Sequence, residues 1–298
     1  ADAAAPAASV RRASVTHTVV PSTFLFCPGN RPDRFDKALR SGAPGIILDL
    51  EDAVPAEERE AARHAVLDWL AGLSMRRPGT PAIGLRISPP QSESGFEDLY
   101  ALRVAGMLPA LDWIAVPKAE EAAQVRSAHA HLARRNPDVR VMALVESVRG
   151  VRCAEEIAMA GPFVAALAFG AADFCAETGI DGSWEALAYV RGRLIFEAAA
   201  AGVPVLDVPH LLIDDDAGLR LDCKRARAMG FHGKLAIHPR QCPIIMEAFL
   251  PNPQQVEWAR RVVAGYEAAR GRACVVDAVM VDEPVYRRAC RILQRAAA

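Results

Sequence analysis

Short apolar runs alternate along the chain with longer stretches in which apolar positions recur every three or four residues. The runs predict strands over Thr23–Cys27, Gly45–Leu50, Ile83–Ile87, Trp113–Pro117, Val139–Val145, Val164–Phe169, Val203–Val208 and Lys234–His238. The stretches between them predict helices over Arg31–Arg40, Ala56–Gly72, Gly95–Gly106, Ala119–Arg135, Val151–Ala160, Trp184–Ala201 and Ala217–Gly230. Strands and helices in alternation, with eight strands, are the count of a (β/α)8 TIM barrel. The rival is a doubly wound open sheet, which usually carries a glycine-rich phosphate turn after its first strand. Pro28-Gly29-Asn30-Arg31-Pro32 is not such a turn.

The punctuation agrees with this alternation. Pro55 or Ala56 opens a helix with Glu57, Glu58 and Glu60 in its first turns, where acids favour the helix dipole, and Gly230 closes another. Beyond the eighth strand the pattern predicts a helix Pro253–Arg270, an apolar run Cys274–Val281 and a last helix Pro284–Gln294. This short C-terminal extension reads as a helical lid, too small for a core of its own, which should pack on the barrel or on a neighbouring molecule. The division expected is 1–17 as a flexible Ala-rich tail, 18–250 as the barrel and 251–298 as the C-terminal helices and lid.

Composition narrows the class. The 298 residues are 52% hydrophobic, ample for one barrel core. Lys plus Arg number 35 and Asp plus Glu 36, a net charge of −1, so neither a nucleic-acid partner nor a membrane surface gains support. Acidic small substrates fit, because Arg clusters exist in neutral proteins. The seven cysteines are scattered without a CxxC pair, which argues against zinc ribbons and thioredoxin-like sites and for a reducing, cytoplasmic compartment. The longest apolar stretch, near Val164–Phe169, is far too short to span a bilayer, and the N-terminal segment lacks the apolar core of a signal peptide.

Candidate chemistry gathers at the predicted strand ends, which share one mouth in a barrel. "ILDLEDAVP" sets Asp49, Glu51 and Asp52 behind a buried run, where unpaired carboxylates repel and lose hydration. Arg86 ends the third strand, Lys118 follows the fourth, Glu146 the fifth and Asp173 the sixth; Asp207 and His238 end the last two. Hard carboxylates converging without His or Cys suit Mg²⁺ or Mn²⁺, with Arg86 as the accompanying positive charge. The competing readings are ordinary: helix-cap acids for Asp49, Glu51 and Asp52, a salt-bridge role for Arg86, a turn cap for Asp173 and a structural His238. Cys27 and Cys175 read as small buried thiols, since no base partner is evident.

The stretches "FLFCPGNRPDRFDKAL", "GIILDLEDAVP", "LRISP", "ALVESVRG", "AFGAADF" and "GFHGKLAIHPRQ" resemble the citrate lyase β-subunit-like family, grouped with malyl-CoA and citramalyl-CoA lyases in the HpcH/HpaI aldolase superfamily. The resemblance runs from about Thr23 to Ala289. It implies a TIM barrel, a Mg²⁺ ion (Mn²⁺ as a substitute) and making or breaking of a C–C bond beside a thioester. It implies that Glu146 and Asp173 are direct metal ligands, with Glu146 also a substrate neighbour, that Glu51 and Asp52 reach the metal through water, and that Arg86 holds substrate oxygens. Arg31, Arg34 and Gln241 match positions that meet the thioester carrier. "MVDEP" resembles a lid whose aspartate, Asp282 here, completes a neighbouring subunit's site. The sequence departs from the family pattern at Ser88, where Asn is common, at Ala176–Gly179, "AETG" in place of "ADLG", and before the lid, where "VVDAVM" lacks a usual glycine.

The expected chemistry is a Mg²⁺-dependent retro-Claisen or retro-aldol cleavage of a short 3-hydroxyacyl-CoA thioester such as malyl-CoA, citramalyl-CoA or citryl-CoA. It gives a 2-oxo acid and acetyl-CoA or a similar ester, with Arg86 stabilising the enolate and Asp282 as base. The alternatives are an acyl-CoA thioester hydrolase, a malate-synthase-like condensing enzyme, or a citrate lyase subunit acting with an acyl-carrier partner. A homotrimer is expected, because an apolar appendage must be buried somewhere and a neighbouring barrel mouth is one place.

Overall fold

The computed structural model describes residues 20–73 and 79–296, so the 1–17 segment lies outside the described residues. Strands β1 (Phe24–Pro28), β2 (Gly45–Asp49), β3 (Ala82–Arg86), β4 (Trp113–Val116), β5 (Arg140–Val145), β6 (Val164–Phe169), β7 (Val205–Asp207) and β8 (Gly233–Lys234) pair in sequence order, all parallel. The sheet closes on itself. Leu25 bridges Ala236, the Phe26 N–H donates to Ala236 O at 2.8 Å, and the Lys234 N–H donates to Ser22 O at 3.0 Å. This is the (β/α)8 barrel that the alternation predicts.

Burial on both faces explains why the strands read as unbroken apolar runs. In β2, Ile46 and Leu48 pack outward beneath the helices while Ile47 joins the barrel interior with Phe24, Trp113, Met142 and Leu206. Phe24 and Trp113 meet edge to face at 5.4 Å and fill the barrel below its mouth.

Around the barrel stand α1 (Phe35–Leu39), α2 (Arg59–Gly72), α3 (Glu93–Ala105), α4 (Ala122–Ala133), α5 (Val148–Arg152), α6 (Ala154–Ala158), α7 (Ala171–Thr178), α8 (Trp184–Ala201), α9 (Asp216–Met229) and α10 (Gln241–Phe249). Ser92, Ser147 and Ser183 cap α3, α5 and α8 by accepting from backbone N–H groups three residues on. The single helix expected over Val151–Ala160 is two short ones, broken at Cys153, whose φ −102 and ψ 11 leave the helical region. Strand β8 is shorter than predicted. The Gln241 side chain accepts from the Ile237 and His238 N–H groups at 3.0 and 3.3 Å, which draws them away from the ladder.

Past α10 come α11 (Pro253–Ala268), β9 (Cys274–Val276), β10 (Val279–Val281) and α12 (Glu283–Ala296). The apolar run Cys274–Val281 is a hairpin turned at Asp277 and Ala278, with φ of 50° and 61°. The expectation that this extension has no core of its own is corrected. Ala259, Val262, Val281 and Ala289 form a separate buried cluster, and the Tyr266 and Tyr286 rings stack 4.7 Å apart. Small alanines at the crossing let α11 and α12 approach closely enough to bury each other.

Candidate active site

Asp49 and Arg86 are the last residues of β2 and β3 and stand opposite each other in the ladder. That register lets the guanidinium grip the carboxylate fork on fork: Nε and Nη2 each donate to an Asp49 oxygen at 2.6 Å. Asp49 also accepts from the Glu51 and Ala53 N–H groups, at 3.0 and 3.2 Å, so it is fully occupied in holding Arg86 and its own loop. The third arm of Arg86, Nη1, lies 3.0 Å from both Glu51 Oε2 and Asp52 Oδ2. Phe26 backs the guanidinium at 4.9 Å. The three acids behind β2 therefore face Arg86 first.

A second cation joins them. Lys118 follows β4 with φ 48°, a left-handed backbone unusual for a residue with a side chain. Its N–H donates to Glu146 Oε2 at 2.9 Å, while Nζ lies 3.2 Å from Glu51 Oε1 and 3.5 Å from Asp173 Oδ1. Glu146 follows β5, and Asp173 sits in the first turn of α7, which starts without a loop after β6 and Gly170. A Cβ at Gly170 would lie 2.4 Å from Glu146 Cγ, so only glycine leaves this carboxylate its place.

The electrostatics follow from burial. Burial pushes the Glu51 carboxyl up to about 8, partly offset by Arg86 and reinforced by Glu146 and Asp52. Burial likewise raises Glu146 to about 7, against the pull of the Lys118 N–H and Arg86. Arg86 stays charged, because Asp49, Glu51 and Asp52 together outweigh its desolvation.

Asp52, Arg86, Glu146 and Asp173 line one side of a cavity of about 740 Å³ at the barrel mouth. The opposite wall is largely apolar, with Trp184, Leu187, Val208, Leu211, Leu212 and Ile237. Behind that wall Asp207 accepts from Arg191 Nε and from Lys234 Nζ, both at 2.8 Å. All three are buried, and the two cations outweigh desolvation to hold Asp207 below the usual carboxylate range.

The other predicted residues stand elsewhere. Arg31 pairs with Asp33 at 2.8 Å, and Arg31 and Arg34 are exposed beyond the end of β1. Gln241 is buried; besides the two N–H groups it accepts, its amide donates to His210 O at 2.7 Å. Asp282 accepts from the Val285 N–H at 3.2 Å and caps α12. His238 accepts from the Arg240 N–H, and burial pushes the Cys27 thiol up to about 11, out of the nucleophile range. The parts that strand-end reading left without a role are Asp49 as anchor and Lys118 as second cation. The signal for Asp49 was present, since an acid and an arginine end adjacent strands in register.

Among the described residues no three His, Cys, Asp or Glu side chains stand ready as a preformed metal cage, and Arg86 and Lys118 lie between the carboxylates. The donors nonetheless suit a hard divalent cation: they are all carboxylate oxygens, and both Glu51 oxygens are buried, met only by the Arg86 and Lys118 cations at 3.0 and 3.2 Å. No helix among the described residues is long and apolar enough to cross a membrane.

Comparison with known proteins gives a consistent picture. The HpcH/HpaI aldolase/citrate lyase family model matches residues 22–239. A citrate lyase subunit beta-like protein of Mycobacterium tuberculosis is 39% identical over 280 residues, 92% of this chain and 94% of that one. An L-malyl-CoA/beta-methylmalyl-CoA lyase of Cereibacter sphaeroides is 31% identical over 91% of this chain and 93% of its own. The crystal structure of the M. tuberculosis protein CitE, in complex with magnesium, acetoacetate and coenzyme A, superposes with a TM-score of 0.75. It is 36% identical and covers 95% of this chain and 100% of that one. By sequence match and barrel alike, the chain belongs to the HpcH/HpaI aldolase/citrate lyase family.

Proposed function

We propose that the protein is a Mg²⁺-dependent carbon–carbon lyase that cleaves a short 3-hydroxyacyl-CoA thioester of the malyl-, citramalyl- or citryl-CoA kind. The observation that carries this reading is the corner where Glu146, Asp173, Asp52 and the anchored Arg86 meet at the cavity. Glu146 and Asp173 would hold the ion directly, with Glu51 and Asp52 reaching it through water. Bound there, Mg²⁺ supplies Lewis-acid polarisation of substrate oxygens. Arg86, held rigid by Asp49, keeps its Nη1 arm at the corner, where it can stabilise charge developing on the thioester oxygen as the C–C bond parts. The apolar wall excludes water from the enolate.

Arg31 and Arg34, both exposed, would meet an anionic carrier, whereas Gln241 would act by fixing the Ile237–His238 turn. Asp282, in a homotrimer, acts as base toward the next subunit's cavity. The seven unpaired cysteines favour the cytoplasm.

Purified protein offered malyl-, citramalyl- and citryl-CoA should give a 2-oxo acid and a shorter CoA ester only with Mg²⁺ present. Glu146→Gln should lose most of this turnover. Free CoA released without a 2-oxo acid would instead favour a hydrolase, and condensation of acetyl-CoA with glyoxylate a synthase. Cleavage undiminished in EDTA overturns the reading.

A further inference from the structure

Lys118 is the one described residue that touches acids from three strand ends at once. Its ammonium reaches Glu51 beyond β2 and Asp173 beyond β6, and its N–H holds Glu146 beyond β5. The other cation, Arg86, is locked by Asp49, while the Lys118 side chain is 36% exposed. Each Glu51 oxygen faces one cation, Arg86 at 3.0 Å and Lys118 at 3.2 Å, and no other donor among the described residues, so only these two groups balance its charge. The left-handed backbone that aims Lys118 at this spot is one that side chains disfavour, which marks the arrangement as constrained.

We propose that Lys118 is a positioning residue: a tethered cation that keeps the acids converged and competes with a divalent ion for them. The proposal rests on the reading that this corner takes Mg²⁺. Like charges a few ångströms apart in a partly buried site repel strongly, so an ion held by Glu146 and Asp173 must displace the ammonium from Asp173 or bind against it. The protein alone then holds the ion loosely, and the substrate's own anionic oxygens complete the hold.

Calorimetric Mg²⁺ titration of wild type, Lys118→Asn and Lys118→Arg tests this. Asn tolerates the left-handed backbone and keeps the N–H to Glu146; Lys118→Gly is a second charge-free variant with the same backbone freedom. Both charge-free variants should bind Mg²⁺ about tenfold or more tighter than wild type, and Lys118→Arg within about twofold of it. Melting in EDTA should show the charge-free variants less stable than wild type, with Mg²⁺ removing the difference. Equal or weaker binding by the charge-free variants overturns the proposal while leaving the Mg²⁺ reading intact. Binding by none of the proteins overturns both.

Discussion

Glu51 and Glu146 carry their protons to about 8 and about 7, well above the ordinary 4.5 of a glutamate. A folded state that keeps a proton which the unfolded chain releases loses stability as pH rises between the two values. The metal-free protein should therefore weaken from about pH 5 to pH 8 through these groups. Glu51 is the sharper case, 2% exposed, its oxygens met only by the Arg86 and Lys118 cations, which do not offset its desolvation. Glu51→Gln removes the cost of burying that charge. It should raise stability in EDTA at pH 8 by about 1–3 kcal/mol and change little at pH 5. Urea melts at the two pH values check this, and parallel pH profiles for the two proteins would refute it. Divalent ions invert the preference, because they bind the deprotonated carboxylates and release protons on binding.

At the scale of elements, the sequence made the strands visible and the turns between them much less so. Strand β2 is legible because both its faces are buried, so every position is apolar until the acids begin. Helices α7 and α10 escaped because they are short and follow strand ends almost directly, among residues already read as site motifs. The cluster of acids and its Arg86 partner were legible; the pairing with Lys118 was not. Whether Lys118 meets Glu51 depends on a φ of 48° that no residue type announces. The hairpin turn at Asp277 and Ala278 lacks the Asn-Gly or Gly signal that usually marks such turns. Gln241, in a motif that stands out in the sequence, folds its side chain back onto its own loop, a contact the motif does not announce.

The extension built from α11, the β9–β10 hairpin and α12 presents Asp282 at a helix start, one oxygen engaged with Val285. In the proposed trimer its other oxygen serves a neighbouring cavity. Arg86→Lys is expected to be inactive, since an ammonium cannot reproduce the fork on Asp49. Asp282→Ala should be inactive for want of a base. Mixed oligomers of the two should regain some activity, because they contain sites with both residues intact. Mixtures as dead as their parents would show that each chain's site is self-contained.

The whole barrel is unevenly sewn. Five residues pair between β1 and β2, five between β2 and β3 and five between β5 and β6. Only two pair between β6 and β7 and two between β7 and β8, and one bridge pair with three backbone hydrogen bonds closes β8 on β1. Three pair between β3 and β4 and four between β4 and β5, so Arg86, Lys118 and the acids stand on the more heavily sewn arc, with Asp173 at its edge. Val208, Leu211, Leu212 and Ile237 follow β7 and β8 in the thin one, where buried Asp207, Lys234 and Arg191 stand in for missing rungs. Local opening costs less where fewer hydrogen bonds must break. Amide exchange should therefore be fastest among the barrel strands at β7 and β8 and slowest at β2 and β5; uniform protection around the ring would contradict this. Half of the mouth can breathe to admit a bulky guest while the charged half keeps its geometry.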